Sequence, residues 1–265
     1  MSKNRYKIVE DDFIIHKGRK LYRIKALKRF NTILGTIKRG ELGGYVEGYH
    51  NLSQNDNCWI HDDAKVYDNA RVENSARVGS NAEIYGNARI RDRAVVDDNA
   101  EVFGNTEVSN RSVVTNHAKV YGNARVIDEF DPFGCLHPKN STILDNVSIC
   151  GNSVINSSTL ADNAKVFGNA KVNQVTAARE NIKVYDNAVA GECKSSSFFF
   201  INDNSELYGN SSIILRDVGA KFSGDTKIRG NSSIYYFSKS IKLPKVVEKD
   251  VDCKDNFRNH EEKKV

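Results

Sequence analysis

Six histidines are the side chains in this 265-residue sequence that could serve as a general base or as a zinc ligand. They are His16, His50, His61, His117, His137 and His260. A three-histidine zinc site needs two of its ligands close together on one segment, but no two of these histidines lie within ten residues of each other. We therefore expect neither a metal site nor a cofactor.

Other short motifs of common chemistries are also absent from the sequence. It has no phosphate-binding glycine loop, no Gly-x-Ser-x-Gly turn, no His-Glu-x-x-His pair and no dinucleotide-binding glycine motif. The five cysteines lie far apart without a Cys-x-x-Cys pair, which indicates reduced thiols rather than a disulfide or zinc set. Together these observations favour a protein that binds over one that catalyses.

Basic side chains are concentrated at the start of the chain. Residues 1–40 hold twelve Lys or Arg against three acidic residues, for +9, whereas residues 41–265 hold 27 against 31, for −4. This asymmetry indicates a polyanionic partner, either a nucleic acid or a host nucleoprotein; the alternative, which the composition leaves open, is a solvated strand surface. The cations that we expect to bind it are Lys17, Arg19, Lys20, Arg23, Lys25, Lys28, Arg29, Lys38 and Arg39.

No segment has the pattern of a membrane or secretion signal. No apolar run approaches the ~20 residues that a membrane helix needs. The opening residues "MSKNRYKIVEDDF" lack the apolar core of a signal peptide. We expect a cytoplasmic protein without a membrane partner.

An aliphatic residue recurs every six positions through the middle of the chain. The twelve members of this series are Ile60, Val66, Val72, Val78, Ile84, Ile90, Val96, Val102, Val108, Val114, Val120 and Val126. A small residue, usually Ala, precedes each of them by two positions, and residues two apart on a strand share a face. Each hexad is therefore predicted to be a short strand that buries one small and one β-branched side chain, and the fixed period indicates a solenoid.

Aromatic residues show that the hexads are grouped in threes. Tyr67, Tyr85, Phe103 and Tyr121 each follow an aliphatic position and lie 18 residues apart. We therefore predict an all-β fold of triangular 18-residue coils, about nine in number. Each aromatic is followed by Gly or Asp and then Asn, which suits a tight corner with positive φ. The stacked aromatics are expected at about the 4.8 Å spacing of neighbouring strands, beside a ladder of bonded Asn side chains.

The chain divides into three parts. Residues 1–57 are predicted to form a basic, β-rich cap with one hairpin around His16–Arg19 and another around Lys38–Gly40, because the open edge of a parallel stack needs a cover. The repeat then runs over 58–240 with loops near 127–140 and 191–199, and 241–265 is a charged tail. The sequence leaves open whether the cap also binds the partner.

Outward-facing columns of the repeat offer further candidate contacts. One column contains Arg71, Arg89 and Arg125, interrupted by Glu107. The second is the aromatic series of Tyr67, Tyr85, Phe103 and Tyr121. The Arg column could bind a partner or only pair charges between coils, and the aromatics could present a surface for bases or proteins or only pack on each other.

The hexad resembles the hexapeptide repeat of left-handed parallel β-helices, as in Val66-Tyr67-Asp68-Asn69-Ala70-Arg71. The resemblance implies that the coil is left-handed. The wider combination of "LYRIKALKRF", "GELGGYVEGYHNLSQNDNCWIHDDAKVYDNARV" and "YGNARV" coils is similar to phage and prophage β-helix proteins of the YdcK-like type, over about residues 1–126. It implies a phage-borne protein in the host cytoplasm, for which a counter-defence role such as an anti-CRISPR is a natural setting.

Three functional hypotheses follow. The first is a non-catalytic binding or inhibitor protein that docks through its basic module. The second comes from the resemblance, since many hexapeptide-repeat proteins are trimeric acyl-CoA enzymes with a His base; His137, in the predicted loop, would be that base, although the Gly-x-Pro-Ala-Lys segment of many such enzymes is absent. The third is a structural virion or assembly protein, and a homo-oligomer is compatible with any of the three.

Overall fold

The computed structural model describes residues 4–33, 35–128, 140–175, 177–193, 199–215, 220–222, 226–236, 246–247 and 251–252. Within these residues the fold is all-β, with one short 3-10 helix at Tyr49–Asn51. An antiparallel N-terminal module precedes a three-sided parallel β-solenoid. The all-β solenoid prediction is confirmed.

Five strands build the N-terminal module. They are β1 (Tyr6–His16), β2 (Arg19–Ala26), β3 (Phe30–Thr32), β4 (Gly35–Ile37) and β5 (Leu42–Val46). β1 and β2 form the predicted antiparallel hairpin, and β5 pairs antiparallel with β2 on one side and parallel with the first solenoid strand on the other. β5 therefore connects the antiparallel module to the parallel stack.

The predicted hairpin around Lys38–Gly40 is wrong. β4 pairs instead with β3, in a hairpin that places Phe30 opposite Ile37. Both side chains are buried in the main core. Since β5 uses one edge for β2 and the other for the solenoid, it has no edge left for β4.

Short parallel strands stack into the three sides of the solenoid. The first sheet continues from β1, β2 and β5 through Lys65–Val66, Glu83–Ile84, Glu101–Val102, Lys119–Val120, Ser148–Ile149, Lys165–Val166, Lys183–Val184, Glu206–Leu207, Lys227–Ile228 and Val246–Val247. The second sheet contains Arg71–Val72, Arg89–Ile90, Glu107–Val108, Arg125–Ile127, Val154–Asn156, Lys171–Asn173, Val189–Cys193, Ser212–Leu215, Ser233–Tyr236 and Val251–Asp252. The third sheet contains Trp59–Ile60, Arg77–Val78, Val95–Val96, Val113–Val114, Thr142–Ile143, Thr159–Leu160, Ala177–Ala178, Phe199–Ile201 and Ala220–Phe222. Nine stacked strands on this side span about eight turns, close to the predicted number of coils.

The interior of the solenoid is built as the hexads predict. Val66, Ile84 and Val102 pair in register on the first sheet and are fully buried. The small residues two positions earlier, such as Ala64 and Ala82, are buried beside them. Full burial of one Val or Ile side chain contributes about 1.5–3 kcal/mol, so the repeated small and β-branched pair stabilises every side of each coil.

Corners follow the same period as the strands. Residues with positive φ recur six apart, as at Asp92 (φ 62), Asp98 (φ 57), Gly104 (φ 81) and Asn110 (φ 61). This left-handed conformation is open to Gly and tolerated by Asp and Asn. The Asp corners add a bond between coils, since Oδ2 of Asp92 accepts the backbone N–H of Asn110 at 3.2 Å.

One exposed column forms an amide ladder along the solenoid. Asn side chains of successive coils donate to each other, for example from Asn87 to Asn105 at 2.8 Å and from Asn105 to Asn123 at 3.0 Å. The ladder consists of Asn69, Asn87, Asn105, Asn123, Asn152, Asn169, Asn187, Asn210 and Asn231. The predicted Asn ladder therefore runs through the chain well beyond its perfectly periodic part.

The interruptions of the repeat fall at one corner of the prism. Each lies between a strand of the second sheet and the following strand of the third: after Ile127, after Cys193 and after Leu215. Most of the predicted loop 127–140, including His137, lies outside the described residues. In the predicted loop 191–199, strands Val189–Cys193 and Phe199–Ile201 occupy both ends. Within the predicted tail 241–265, the described strands Val246–Val247 and Val251–Asp252 pair with solenoid strands.

Candidate functional site

The N-terminal module lies against the first coils, and some of its predicted binding cations hold it there. The β1–β2 turn places Lys17 Nζ 2.7 Å from Oε2 of Glu83. His16 Nε2 lies 3.1 Å from the same oxygen, and the Tyr67 hydroxyl donates to it at 3.3 Å. Glu83 belongs to the second coil of the solenoid, so this turn is fixed to the solenoid body.

Both charge and burial shift the pKa values of Glu83, Lys17 and Tyr67. Partial burial raises the pKa of Glu83, but hydrogen bonds and charges from Lys17 and His16 outweigh burial and lower it below its usual value. Burial lowers the pKa of Lys17, yet the hydrogen bond and charge of Glu83 raise it overall. The pKa of Tyr67 is raised by burial and by Glu83. Lys17 and Glu83 are therefore both charged at neutral pH and form an ion pair.

Arg19 and Arg23 make the second set of contacts with the solenoid. Arg19 donates to Glu47 at 3.0 Å and also pairs with Asp68. Arg23 lies over the Tyr45 ring, 4.0 Å from its centroid, and donates to the Asp62 carbonyl at 2.8 Å. These two arginines and Lys17 are three of the nine predicted polyanion contacts, and the structure assigns them to intramolecular partners.

Lys20 lies on the opposite face of the hairpin. Its Nζ is 3.9 Å from the Phe13 ring centroid and 4.9 Å from that of Tyr22. Phe13 is 44% exposed, so Lys20 and its aromatic neighbours form a cationic, aromatic surface on the module.

The other predicted cations surround the end of β2. The backbone N–H of Gly40 donates to the Ala26 carbonyl, and that of Ala26 donates to Glu41, both at 2.8 Å. The Lys38–Glu41 turn therefore lies against the end of β2. We name this group the basic end cluster; its members are Lys25, Lys28, Arg29, Lys38 and Arg39.

The basic end cluster keeps its charge exposed. Lys28, Arg29, Lys38 and Arg39 are exposed, while Lys25 is half-buried and faces Lys7 across the β1–β2 ladder. Over the ranges that the structure describes, no ion pair involves Arg29, Lys38 or Arg39. Anions of a partner could therefore reach these three side chains without displacing a carboxylate of the described residues.

The predicted aromatic contacts pack on each other. Ring centroids are 5.1 Å apart for Tyr67 and Tyr85, 4.7 Å for Tyr85 and Phe103, and 5.0 Å for Phe103 and Tyr121, with interplanar angles of 6° or less. Both faces of the Tyr85 and Phe103 rings are thus covered by neighbouring rings. A nucleic-acid base cannot stack on them, and only the ring edges are accessible.

The Arg column is partly neutralised. Oε2 of Glu107 lies 3.5 Å from Nε of Arg125, and Oε1 of Glu107 accepts a hydrogen bond from Nε of Arg91 at 2.9 Å. Arg71 and Arg89 are neighbours in register and both exposed. This column therefore combines charge pairing between coils with one exposed pair of arginines.

The described histidines occupy separate environments. His50 Nε2 lies 2.7 Å from the Asp68 carbonyl, and His117 is exposed. Burial and the nearby Arg77 lower the pKa of His61. Within the described parts of the chain, no group of three or more His, Cys, Asp or Glu side chains could hold a metal ion. No helix in those parts is long and apolar enough to cross a membrane.

Several important side chains were not anticipated from the sequence. The acidic partners Glu47, Asp68 and Glu83 carry no motif, since the pairing depends on where the hairpin folds over the coils. The exposed Ile15 and Phe13 had a signal in the run Phe13-Ile14-Ile15, because an amphipathic strand alternates and this run does not. Comparisons with protein-family models and with curated proteins find no match for the chain.

Proposed function

We propose that this protein is a non-catalytic binding protein that docks on a nucleic acid or nucleoprotein through the basic end cluster. The observation that carries the proposal is the division of the module's cations. Lys17, Arg19 and Arg23 are bound to solenoid and module acceptors, whereas Arg29, Lys38 and Arg39 are exposed at one end of the molecule. The first set stabilises the module, and the second set supplies phosphate contacts.

The solenoid supports this function as a rigid body. Its coils are joined by continuous parallel ladders and by the Asn ladder, so the module is presented on a stiff prism. A partner bound at the end of such a prism is sterically shielded on that side. Together with the resemblance to phage hexapeptide-repeat proteins, this favours a cytoplasmic inhibitor of host defence, such as an anti-CRISPR protein that occupies a guide-RNA complex.

A charge-reversal experiment tests the proposal. The triple variant Arg29→Glu, Lys38→Glu, Arg39→Glu is compared with a control, Lys165→Glu, Lys171→Glu, Arg179→Glu, which changes the net charge equally at exposed solenoid positions. Binding to labelled single-stranded RNA, duplex RNA, duplex DNA and a purified guide-RNA nucleoprotein is measured by fluorescence anisotropy across a salt series. We expect the cluster variant to lose at least about tenfold in affinity and to show a shallower salt dependence, because each lost phosphate contact reduces counterion release.

Two outcomes would contradict the proposal. One is equal affinity of the cluster variant and the unmodified chain for every partner that the unmodified chain binds. The other is an equal loss in the control variant, which would show that only net charge matters. Circular dichroism and thermal melting of each variant establish that the fold is retained.

A further inference from the structure

The outer edge of β1 is open over only part of its length. β1 is the outermost of thirteen strands in the first sheet, and no described strand pairs with its outer side. Toward its start, the Gln54 side chain accepts the backbone N–H of Tyr6 at 3.3 Å, and the Tyr49 hydroxyl accepts that of Ile8 at 3.3 Å. These side chains cover the outer edge at the start of β1. The part of β1 after the irregularity between Val9 and Phe13 is not covered by them.

The register of the hairpin shows which backbone groups are free there. The turn has two residues, so the flanking pair His16 and Arg19 is hydrogen-bonded, and alternation makes Ile14 and Leu21 the next such pair. The backbone N–H and C=O groups of Phe13 and Ile15 therefore point to the outer edge. Their side chains are 44% and 67% exposed, respectively. Such an edge is a template for another strand.

We propose that two copies of the chain pair antiparallel through residues 12–16 of β1, with the two-fold axis at Ile14. In this register Phe13 of each copy lies opposite Ile15 of the other, and both residues have outward backbone groups. The two copies then exchange four backbone hydrogen bonds. This is an isologous contact that closes as a dimer.

Side-chain complementarity selects this register. Phe13 and Ile15 form two apolar cross-strand pairs on the exposed face, and Asp12 lies opposite His16 on the other face. Moving the axis to Phe13 would place Asp11 opposite Ile15. Moving it to Asp11 would place Glu10 opposite Asp12, and opposed like charges are unfavourable.

The inference goes beyond the proposed function and does not rest on it. Pairing at this edge would present two basic end clusters on one assembly, because each copy carries one. The cluster begins at Lys25 on β2, the strand that pairs with β1. A long polyanion could then engage both clusters and gain avidity. Dimer formation itself is measurable without any partner.

The oligomeric state tests the proposal directly. Sedimentation velocity and light scattering after size-exclusion chromatography are run over a concentration series on the unmodified chain, Ile15→Lys and the control Leu42→Lys. Leu42 is 52% exposed but lies on β5, away from the outer edge. We expect a monomer–dimer equilibrium that Leu42→Lys preserves and that Ile15→Lys weakens at least about tenfold, because it replaces both apolar cross-strand pairs of the interface with a Lys opposite Phe13. A chain that stays monomeric at all concentrations, or an Ile15→Lys variant that dimerises normally, would overturn the proposal.

Crosslinking tests the register. Ile14→Cys and the control Ile8→Cys are oxidised with diamide, a two-electron acceptor that takes two electrons and two protons from a pair of thiols. At the axis the Cα atoms of a non-hydrogen-bonded pair lie ~4.5 Å apart, within disulfide range. We expect a covalent dimer from Ile14→Cys above the background of the unmodified chain, and none from Ile8→Cys. Equal crosslinking at the two positions would refute this register.

Discussion

Glu83 joins the N-terminal module to the solenoid through one carboxylate. Its Oε2 accepts hydrogen bonds from Nζ of Lys17 and from the Tyr67 hydroxyl, and Nε2 of His16 lies 3.1 Å from the same oxygen. Because the pKa of Glu83 is lowered in the folded protein, its stabilisation is present above the carboxyl's ordinary pKa and is lost as the pH falls through the folded value.

We expect Glu83→Gln to loosen the β1–β2 hairpin at neutral pH and to have little effect in acid. The loss at pH 7 should be about 1 kcal/mol, since a partly exposed charged network is screened by solvent. The difference from the unmodified chain should shrink as the pH falls through the lowered pKa of Glu83 and vanish once this carboxyl is protonated, because both chains then carry a neutral group. Hydrogen exchange of the Ile14 and His16 backbone amides measures the stability of the hairpin in the two chains at each pH.

Glu101→Gln is the control for this prediction. Glu101 lies one coil further along and pairs with Lys119 at 2.8 Å. Its substitution should leave the exchange of the hairpin amides unchanged at both pH values. A Glu83→Gln effect that is as large at pH 3 as at pH 7 would mean that packing, not charge, is responsible.

At the scale of elements, the corners set how closely coils can stack. Gly104 has φ +81, and a Cβ added to it would lie 2.7 Å from the carbonyl oxygen of Gly122. Asp68 and Asp186 occupy the equivalent corner in other coils, at φ 55 and 60. A side chain is thus accommodated where φ is smaller and where its carboxylate accepts the N–H of the next corner, as Asp68 does from Gly86 at 3.1 Å.

We expect Gly104→Ala to destabilise the solenoid by about 2 kcal/mol, because it adds strain at positive φ and a contact with the next coil without a new bond. Gly104→Asp should cost less, since the carboxylate can bind the N–H of Gly122. The midpoints of urea unfolding, followed by circular dichroism, rank the two variants. The reverse order would show that the corner carboxylate contributes nothing.

The solenoid elements were largely predictable because local residue types determine them. Val66, Ile84 and Val102 enter the core through a period that any coil repeats. The prediction of a hairpin around Lys38–Gly40 was wrong because a turn signal does not specify which strands pair. Phe30 and Ile37 pair with each other owing to a shared place in the core, and that place depends on contacts distant in sequence.

At the scale of the whole molecule, β5 is the only described strand of the module that pairs with the solenoid. A Cβ on Gly44 of this strand would lie 2.5 Å from the Ala64 carbonyl oxygen and 2.5 Å from Cγ2 of Ile60. β5 approaches the first coil this closely because position 44 has no side chain. The binding site was harder to predict than the fold for a related reason: the separation of internal from exposed cations depends on how the module docks.

We expect Gly44→Ala to undock the module and expose the end of the solenoid. The variant should lose roughly 3 kcal/mol of stability and aggregate with increasing concentration, because uncovered strand edges recruit other chains. Gly48→Ala is the control, since the atom nearest its added Cβ belongs to the His50 side chain, which can move. Thermal melting with light scattering compares them, and equal behaviour of the two variants would contradict the role given to β5.

Trp59 is the one tryptophan of the chain and lies at this junction. Its ring is 5.5 Å from that of Phe30 and 6.3 Å from that of Tyr6, and it is 1% exposed. The indole emission therefore reports on a single place, the seam between the module and the first coil. A red shift of that emission without loss of the β-sheet dichroism would distinguish departure of the module from melting of the coils in one sample.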